Sequence, residues 1–101
     1  MRILVVNDDG IQAPGIAHLA RTAQKFGEVW VAAPDSQCSA MSHRISIFDK
    51  LRVRSEPNFE VKGVQAWSVS GTPADCVKVA LAYIMPERPD IVLSGINNGC
   101  N

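Results

Sequence analysis

Residues 2–15, RILVVNDDGIQAPG, constrain this chain more than any other stretch. Four consecutive apolar residues, Ile3 to Val6, lead through Asn7 into two adjacent carboxylates, Asp8 and Asp9, and then into glycine. An uninterrupted apolar run of this length is the pattern of a strand covered on both faces, as in a parallel sheet. A signal-peptide core is longer, and a membrane span needs ~20 apolar residues. A buried strand that ends in paired negative charge needs a reason for the charge.

The rest of the chain repeats the rhythm. Pro14 suits a first helical position, and Ile16, Leu19, Ala20, Ala23 and Phe26 fall on one helical face that Gly27 can stop. EVWVAAP, residues 28–34, reads as a second buried strand, so the first third is a βαβ unit with an expected right-handed crossover. Between 45 and 69, ISIFDKLRVRS and FEVKGVQAWSV alternate apolar and polar residues, which predicts an antiparallel hairpin excursion or extra strands of the sheet. GTPADCVKVALAYIMP then predicts a helix with Thr72 as N-cap, Pro73 at N1 and Asp75 at N3, ended by Pro86. PDIVLSGINNG predicts a further buried strand running into a polar loop. The fold class is α/β: a mostly parallel, Rossmann-like sheet with flanking helices, in one domain over residues 1–101.

Charge narrows the partners. Ten Lys and Arg balance ten Asp and Glu, so no global field favours nucleic acid or an anionic membrane. Three cysteines, Cys38, Cys76 and Cys100, show no C-x-x-C spacing and are expected as reduced thiols of a cytoplasmic protein.

In open parallel α/β sheets ligands sit beyond the carboxyl ends of the strands. Three segments end there: NDDG, PDSQCSAMSH and SGINNGCN. Their inventory is rich in oxygen: Asp8, Asp9, Ser36, Ser39, Ser42, Ser94, Asn97, Asn98 and Asn101. Two carboxylates with hydroxyl and amide oxygens suit a hard cation such as Mg²⁺ or Mn²⁺, whereas zinc favours imidazole or thiolate. A cation between the carboxylates removes their repulsion. Spacing does not choose between Ser36 and Ser39, or between Asn97 and Asn98. His43, in the serine-bearing loop, is a candidate phosphate contact or proton donor, because imidazole titrates near neutral pH. The ordinary alternatives are a solvated Asp-Asp-Gly turn, plain helix capping by Thr72 and Asp75, a surface position for His18, solvent-facing Arg44, Arg52 and Arg54, and packing roles for Trp30 and Trp67.

Known mechanisms with glycines or acids after a first strand fit unevenly. GIQAPG has the glycine spacing of a phosphate loop but continues with Ile16 and Ala17 instead of lysine and a hydroxyl residue. Haloacid-dehalogenase phosphatases place a nucleophilic Asp where this chain has Asn7. RILVVNDDG and RPDIVLSGIN are similar to strands of two-component receiver domains, but Gly95 stands where receivers carry the phosphoaccepting Asp.

Together, NDDGIQAPGI, APDSQCSAMSHRISI, GTPADCV and PDIVLSGINNGCN resemble, in order and approximate spacing, the motifs of the survival protein E (SurE) nucleotidases. The resemblance covers nearly the whole chain. It implies a metal-dependent phosphatase acting on nucleoside 5′- or 3′-monophosphates, with short polyphosphate as a further substrate in some members. It implies one divalent cation, Mg²⁺ or Mn²⁺, on Asp8, Asp9, Ser39 and Asn97. Asn101 would lie near the phosphate with Ser39, and Asp8, Asp9 and Asn101 would carry catalysis. Cys38 and Cys100 depart from the residues usual at their places. Family members are longer, so the resemblance also implies an N-terminal portion whose pocket is completed by a later Ser-Gly-Thr segment, and a homodimer or homotetramer at full length. The reading from a different class is a receiver-like module that binds a cation or phosphate without turnover.

Overall fold

Arg2–Val6 forms β1, the strand on which the sheet is built. In the computed structural model, which describes residues 1–35 and 51–96, β1 pairs in parallel with β2 (Glu28–Pro34) on one side and with β5 (Ile91–Ser94) on the other. Beyond β2 lie β4 (Gln65–Val69), parallel to it, and β3 (Val53–Ser55), antiparallel to β4. The order is β3-β4-β2-β1-β5. Helix α1 (Pro14–Ala23) joins β1 to β2, and helix α2 (Pro73–Val79) continues as a π-helical turn, Ala80–Ile84, before β5.

Alternation along the strands divides the core between the two faces. Ile3, Val5, Val29, Val31 and Ala33 pack with Ile16, Ala17, Ala20 and Ala23 of α1. Leu4, Val6, Trp30 and Ala32 pack on the other face with Cys76, Val79 and Ala80. A helix on each face explains why β1 and β2 read as unbroken apolar runs: neither face meets water. The N-terminal edge is pinned where Arg2 donates its amide to the Asp90 carboxylate (2.6 Å) and accepts from the Asp90 amide at its carbonyl (2.7 Å).

The capping expected at Thr72 is present. The Asp75 amide donates to Thr72 Oγ1 at 3.2 Å, and the Thr72 amide donates to Asp75 Oδ2 at 2.9 Å, with Pro73 at the first helical position. Pro14 likewise opens α1. The antiparallel pairing is also present, between β3 and β4, while residues 45–50 of the expected excursion lie outside the described residues.

Three expectations are corrected. Phe26 is not part of the α1 face: after Ala23 the bonds tighten to Lys25 N–H to Thr22 and Phe26 N–H to Ala23, which turns the ring off the apolar stripe and leaves it 69% exposed. Residues 59–64 do not extend β4 backwards, because Gly63 adopts φ 87° and the Gln24 side chain donates to the Lys62 carbonyl (2.6 Å). Phe59, Val61 and Val64 instead reach the α1-face core from a loop. β5 pairs as expected but is not buried: Ile91 and Val92 stay 43% and 45% exposed, because within the described sheet β5 has a neighbour on one side only.

Leu4 is fully excluded from water at the centre of the α2-face core. Replacing it with alanine leaves a cavity between the sheet and α2, and is expected to lower unfolding free energy by about 2–5 kcal/mol in urea titration.

Candidate functional site

Parallel pairing brings the ends of four strands to one edge. Val6 lies opposite Ser94, and Pro34 opposite Val69, so the segments after β1, β2 and β4 and after β5 all leave from the same side of the sheet. Backbone bonds brace them. The Ile11 amide donates to the Pro34 carbonyl at 2.8 Å, the Asp35 amide to the Val69 carbonyl at 3.0 Å, and the Gly95 amide to the Val6 carbonyl at 2.9 Å.

The two carboxylates sit in a turn organised by Asn7. This side chain is fully buried; its Nδ2 donates to the Gly10 carbonyl at 2.9 Å, and its Oδ1 accepts from the Gly10 amide at 3.2 Å. The closed ring spans Asn7 to Gly10 and holds Asp8 and Asp9 between its ends. Gly10 adopts φ 106°, a conformation that L side chains rarely take, so the glycine after the acid pair is a geometric requirement. Asp8 is half-buried and Asp9 is buried at 8% exposure. A merely solvated turn does not bury a carboxylate, because desolvating an ion is costly unless a countercharge or hydrogen bonds offset it. Asn7 was not singled out as a site organiser from sequence, although Asn and Gly three apart are the signature of such a turn.

The segment after β5 is drawn to the same corner. Gly15, in the first turn of α1, packs so closely on the Ile96 carbonyl that a Cβ there would overlap it. Residues 95–96, which lead to Asn97, therefore lie against the helix that follows the NDDG turn. Among the other candidates, Ser36, Ser39, Ser42, His43, Asn97, Asn98 and Asn101 lie outside the described residues. Among the described residues no three of His, Cys, Asp and Glu converge. The acidic donors here are the Asp8–Asp9 pair, and the donor chemistry fits a hard cation completed by neutral oxygens, not a soft-ligand centre.

The ordinary readings hold elsewhere. His18 is exposed on α1, Arg54 is exposed on β3, and Trp30 is a core residue. Arg52 is exposed but faces the Asp35 carboxylate at 3.8 Å, a pairing the sequence did not suggest. Cys76 is a buried free thiol; Cys38 and Cys100 lie outside the described residues. Burial, with the Asp75 and Asp35 carboxylates adding to it, pushes the Cys76 thiol up to about 12. Among the described residues no helix is long and apolar enough to cross a membrane.

Two outcomes are expected. Asn7→Ala opens the turn and strands the Gly10 amide, which is expected to cost about 1–3 kcal/mol in denaturant unfolding. Cys76 stays protonated in the fold while the unfolded thiol ionises near 9.0. Its contribution to stability is therefore complete below that pH and is lost as pH rises toward about 12. Urea midpoints taken on either side of pH ~9 are expected to fall less in Cys76→Ala than in the parent protein.

The sequence model of the family described as Survival protein SurE matches residues 3–101. The protein named 5′-nucleotidase SurE in Solidesulfovibrio magneticus is 53% identical over 102 residues, covering all of this chain and 39% of that protein. Its namesake in Prochlorococcus marinus (strain AS9601) is 47% identical, again over all of this chain and 38% of the relative. The crystal structure of the SurE protein from Aquifex aeolicus superposes with a TM-score of 0.77 at 38% identity, covering 98% of this chain and 38% of that one. The chain thus spans 38–39% of the length of these relatives. With the family's pattern matched from the first strand to Asn101, this chain belongs to the SurE family.

Proposed function

We propose that this chain carries the metal-binding half of the active site of a divalent-metal-dependent nucleotidase that hydrolyses nucleoside 5′-monophosphates. Nucleoside 3′-monophosphates and short polyphosphate are further candidate substrates. The observation that carries the reading is the buried Asn7–Gly10 ring, which presents two carboxylates at the carboxyl edge of a parallel sheet. That this chain aligns from end to end with proteins named 5′-nucleotidase SurE supports the choice of substrate class.

Asp8, Asp9, Ser39 and Asn97 would hold one Mg²⁺ or Mn²⁺ ion. When bound, the cation supplies countercharge for the phosphoryl oxygens and for the hydrolytic water. Asp9, the more buried carboxylate, is assigned to holding the cation. Asp8, the more exposed one, is assigned to orienting the water and accepting its proton as the new P–O bond forms. The ester P–O bond then breaks, and the departing nucleoside oxygen takes a proton. Asn101 would hold the phosphate through its amide N–H groups, with Ser39 beside it and His43 as a further phosphate contact or the proton donor. The active assembly would be a cytoplasmic homodimer or homotetramer of the longer protein.

Phosphate release from AMP by the full-length protein, with Mn²⁺, with Mg²⁺ and with EDTA, tests this reading. Release is expected only with metal, and Asp8→Asn is expected to reduce it by about 10²-fold or more without loss of the folded circular-dichroism spectrum. Metal-independent release, or full activity in Asp8→Asn, would overturn the assignment. Mn²⁺ binding without release from any phosphomonoester would favour the non-catalytic module.

A further inference from the structure

A cleft of about 320 Å³ opens beside the acid-pair turn, lined by Ile11, Gln12, Glu56, Asn58, Phe59 and Glu60. One wall continues directly from the turn. Ile11 follows Gly10, and its amide is held by the Pro34 carbonyl at the end of β2 (2.8 Å). Asp9 and Ile11 are two residues apart, so their Cα atoms lie within ~7 Å of each other. The opposite wall comes from the loop after β3. The Glu56 amide donates to the Ala66 carbonyl (2.8 Å), while Glu56 Oε2 accepts from Ser68 Oγ (2.7 Å). Ser68 is buried and lies two residues nearer the carboxyl end of β4 than Ala66, so the Glu56 side chain leans along the strand towards the ligand edge. The Phe59 amide donates back to the Glu56 carbonyl (3.1 Å), and Phe59 packs with Ile11 in the α1-face core. Glu60 stands on the solvated rim, 3.7 Å from Arg21. Two carboxylates, two amides and two apolar side chains therefore face the cleft, and among the described residues no Lys or Arg lines it.

We infer that this cleft binds the nucleoside end of the substrate, with the base against Phe59 and Ile11 and Glu56 accepting a hydrogen bond from a ribose hydroxyl or a base N–H group. The choice of ligand rests on the proposal that the neighbouring acid pair serves a nucleotidase. A nucleoside monophosphate is anionic at one end; the other end is neutral, flat and rich in O–H and N–H donors. A cleft lined by carboxylates repels the phosphate and suits the neutral end. Because Ser68 already fixes Oε2, the Glu56 carboxylate is oriented before a ligand arrives and keeps acceptor capacity for it. An aromatic face takes any flat base, so Phe59 supplies affinity while Glu56 selects for donors. The volume lies at the lower end of the range for small-molecule sites, which suits one nucleoside.

The test uses the full-length protein. Adenosine, guanosine, cytidine and uridine, without metal or phosphate, are titrated in turn while backbone amide shifts are followed by NMR. At least one nucleoside is expected to shift the amides of Gln12, Asn58 and Phe59. Glu56→Gln is expected to weaken its binding about tenfold, the cost of losing a hydrogen bond to a charged group. Steady-state rates supply a second reading, comparing the matching nucleoside monophosphate with glycerol 3-phosphate, which has neither ribose nor base. In Glu56→Gln and in Phe59→Leu, the ratio of kcat/KM for the nucleotide to that for glycerol 3-phosphate is expected to fall about tenfold, through KM. No shift at the cleft from any of the four nucleosides, or a parent-like ratio in both variants, would overturn the inference; continued hydrolysis of the nucleotide would then leave the nucleotidase reading standing. An equal fall on both substrates would also overturn it, by giving Glu56 and Phe59 a structural role alone. A parent protein that hydrolyses neither substrate would remove the nucleotidase reading, and the nucleoside titration would then decide the cleft by itself.

Discussion

Burial of β1 on both faces and both edges is the constraint on which the rest depends. Leu4 and Val5 are fully excluded from water, with α1 packed on one side, α2 on the other and parallel neighbours along each edge. Such a strand has no solvated surface on which to carry polar chemistry, so polar residues accumulate where it ends. Because β2, β4 and β5 all run in its direction, their polar continuations end on the same side. Hydrogen bonds from Ile11 to Pro34, Asp35 to Val69 and Gly95 to Val6 then hold that edge as one braced unit.

Within the edge, a neutral side chain does the organising. The Asn7 amide satisfies both backbone groups of Gly10 and itself at once, so the ring can be buried without an orphaned donor or acceptor. An aspartate at this place could accept from the Gly10 amide but, ionised, could not donate to its carbonyl, and it would bring a third negative charge to the pair. Position seven thus separates this site from phosphatases that use a carboxylate nucleophile there. The negative charge is concentrated in Asp8 and Asp9, and in the proposed site a cation would offset it.

Much of the architecture was legible because it rests on local chemistry. Apolar runs identified β1 and β2, Pro14 and Pro73 marked helix starts, and Thr72 with Asp75 formed the expected capping pair. What failed depended in one case on a local change of helix step and otherwise on neighbours distant in sequence. The Phe26 ring follows a change of hydrogen-bond step at the end of α1, the strand expected over 59–64 is diverted by a bond from Gln24 across to Lys62, and the IVL run of β5 is apolar without being covered among the described residues. Of the site, Asp8 and Asp9 were legible as a pair, whereas the Asn7 ring and the Asp35–Arg52 pairing were not. Their roles exist only after β1, β2 and β4 have been set side by side.

The sequence by itself determined the class of fold, the direction of its first strands and the oxygen-rich character of its ligand edge, because apolar period, proline placement and side-chain chemistry act over a few residues. Only the tertiary structure decided which carboxylate is buried, that Gly15 lets the chain after β5 lie against α1, and that Arg52 is bonded to Ser70 and faces Asp35. Those outcomes depend on contacts between residues far apart in sequence, such as Gly15 with Ile96. Packing and backbone pairing fix such contacts, and no local propensity encodes them.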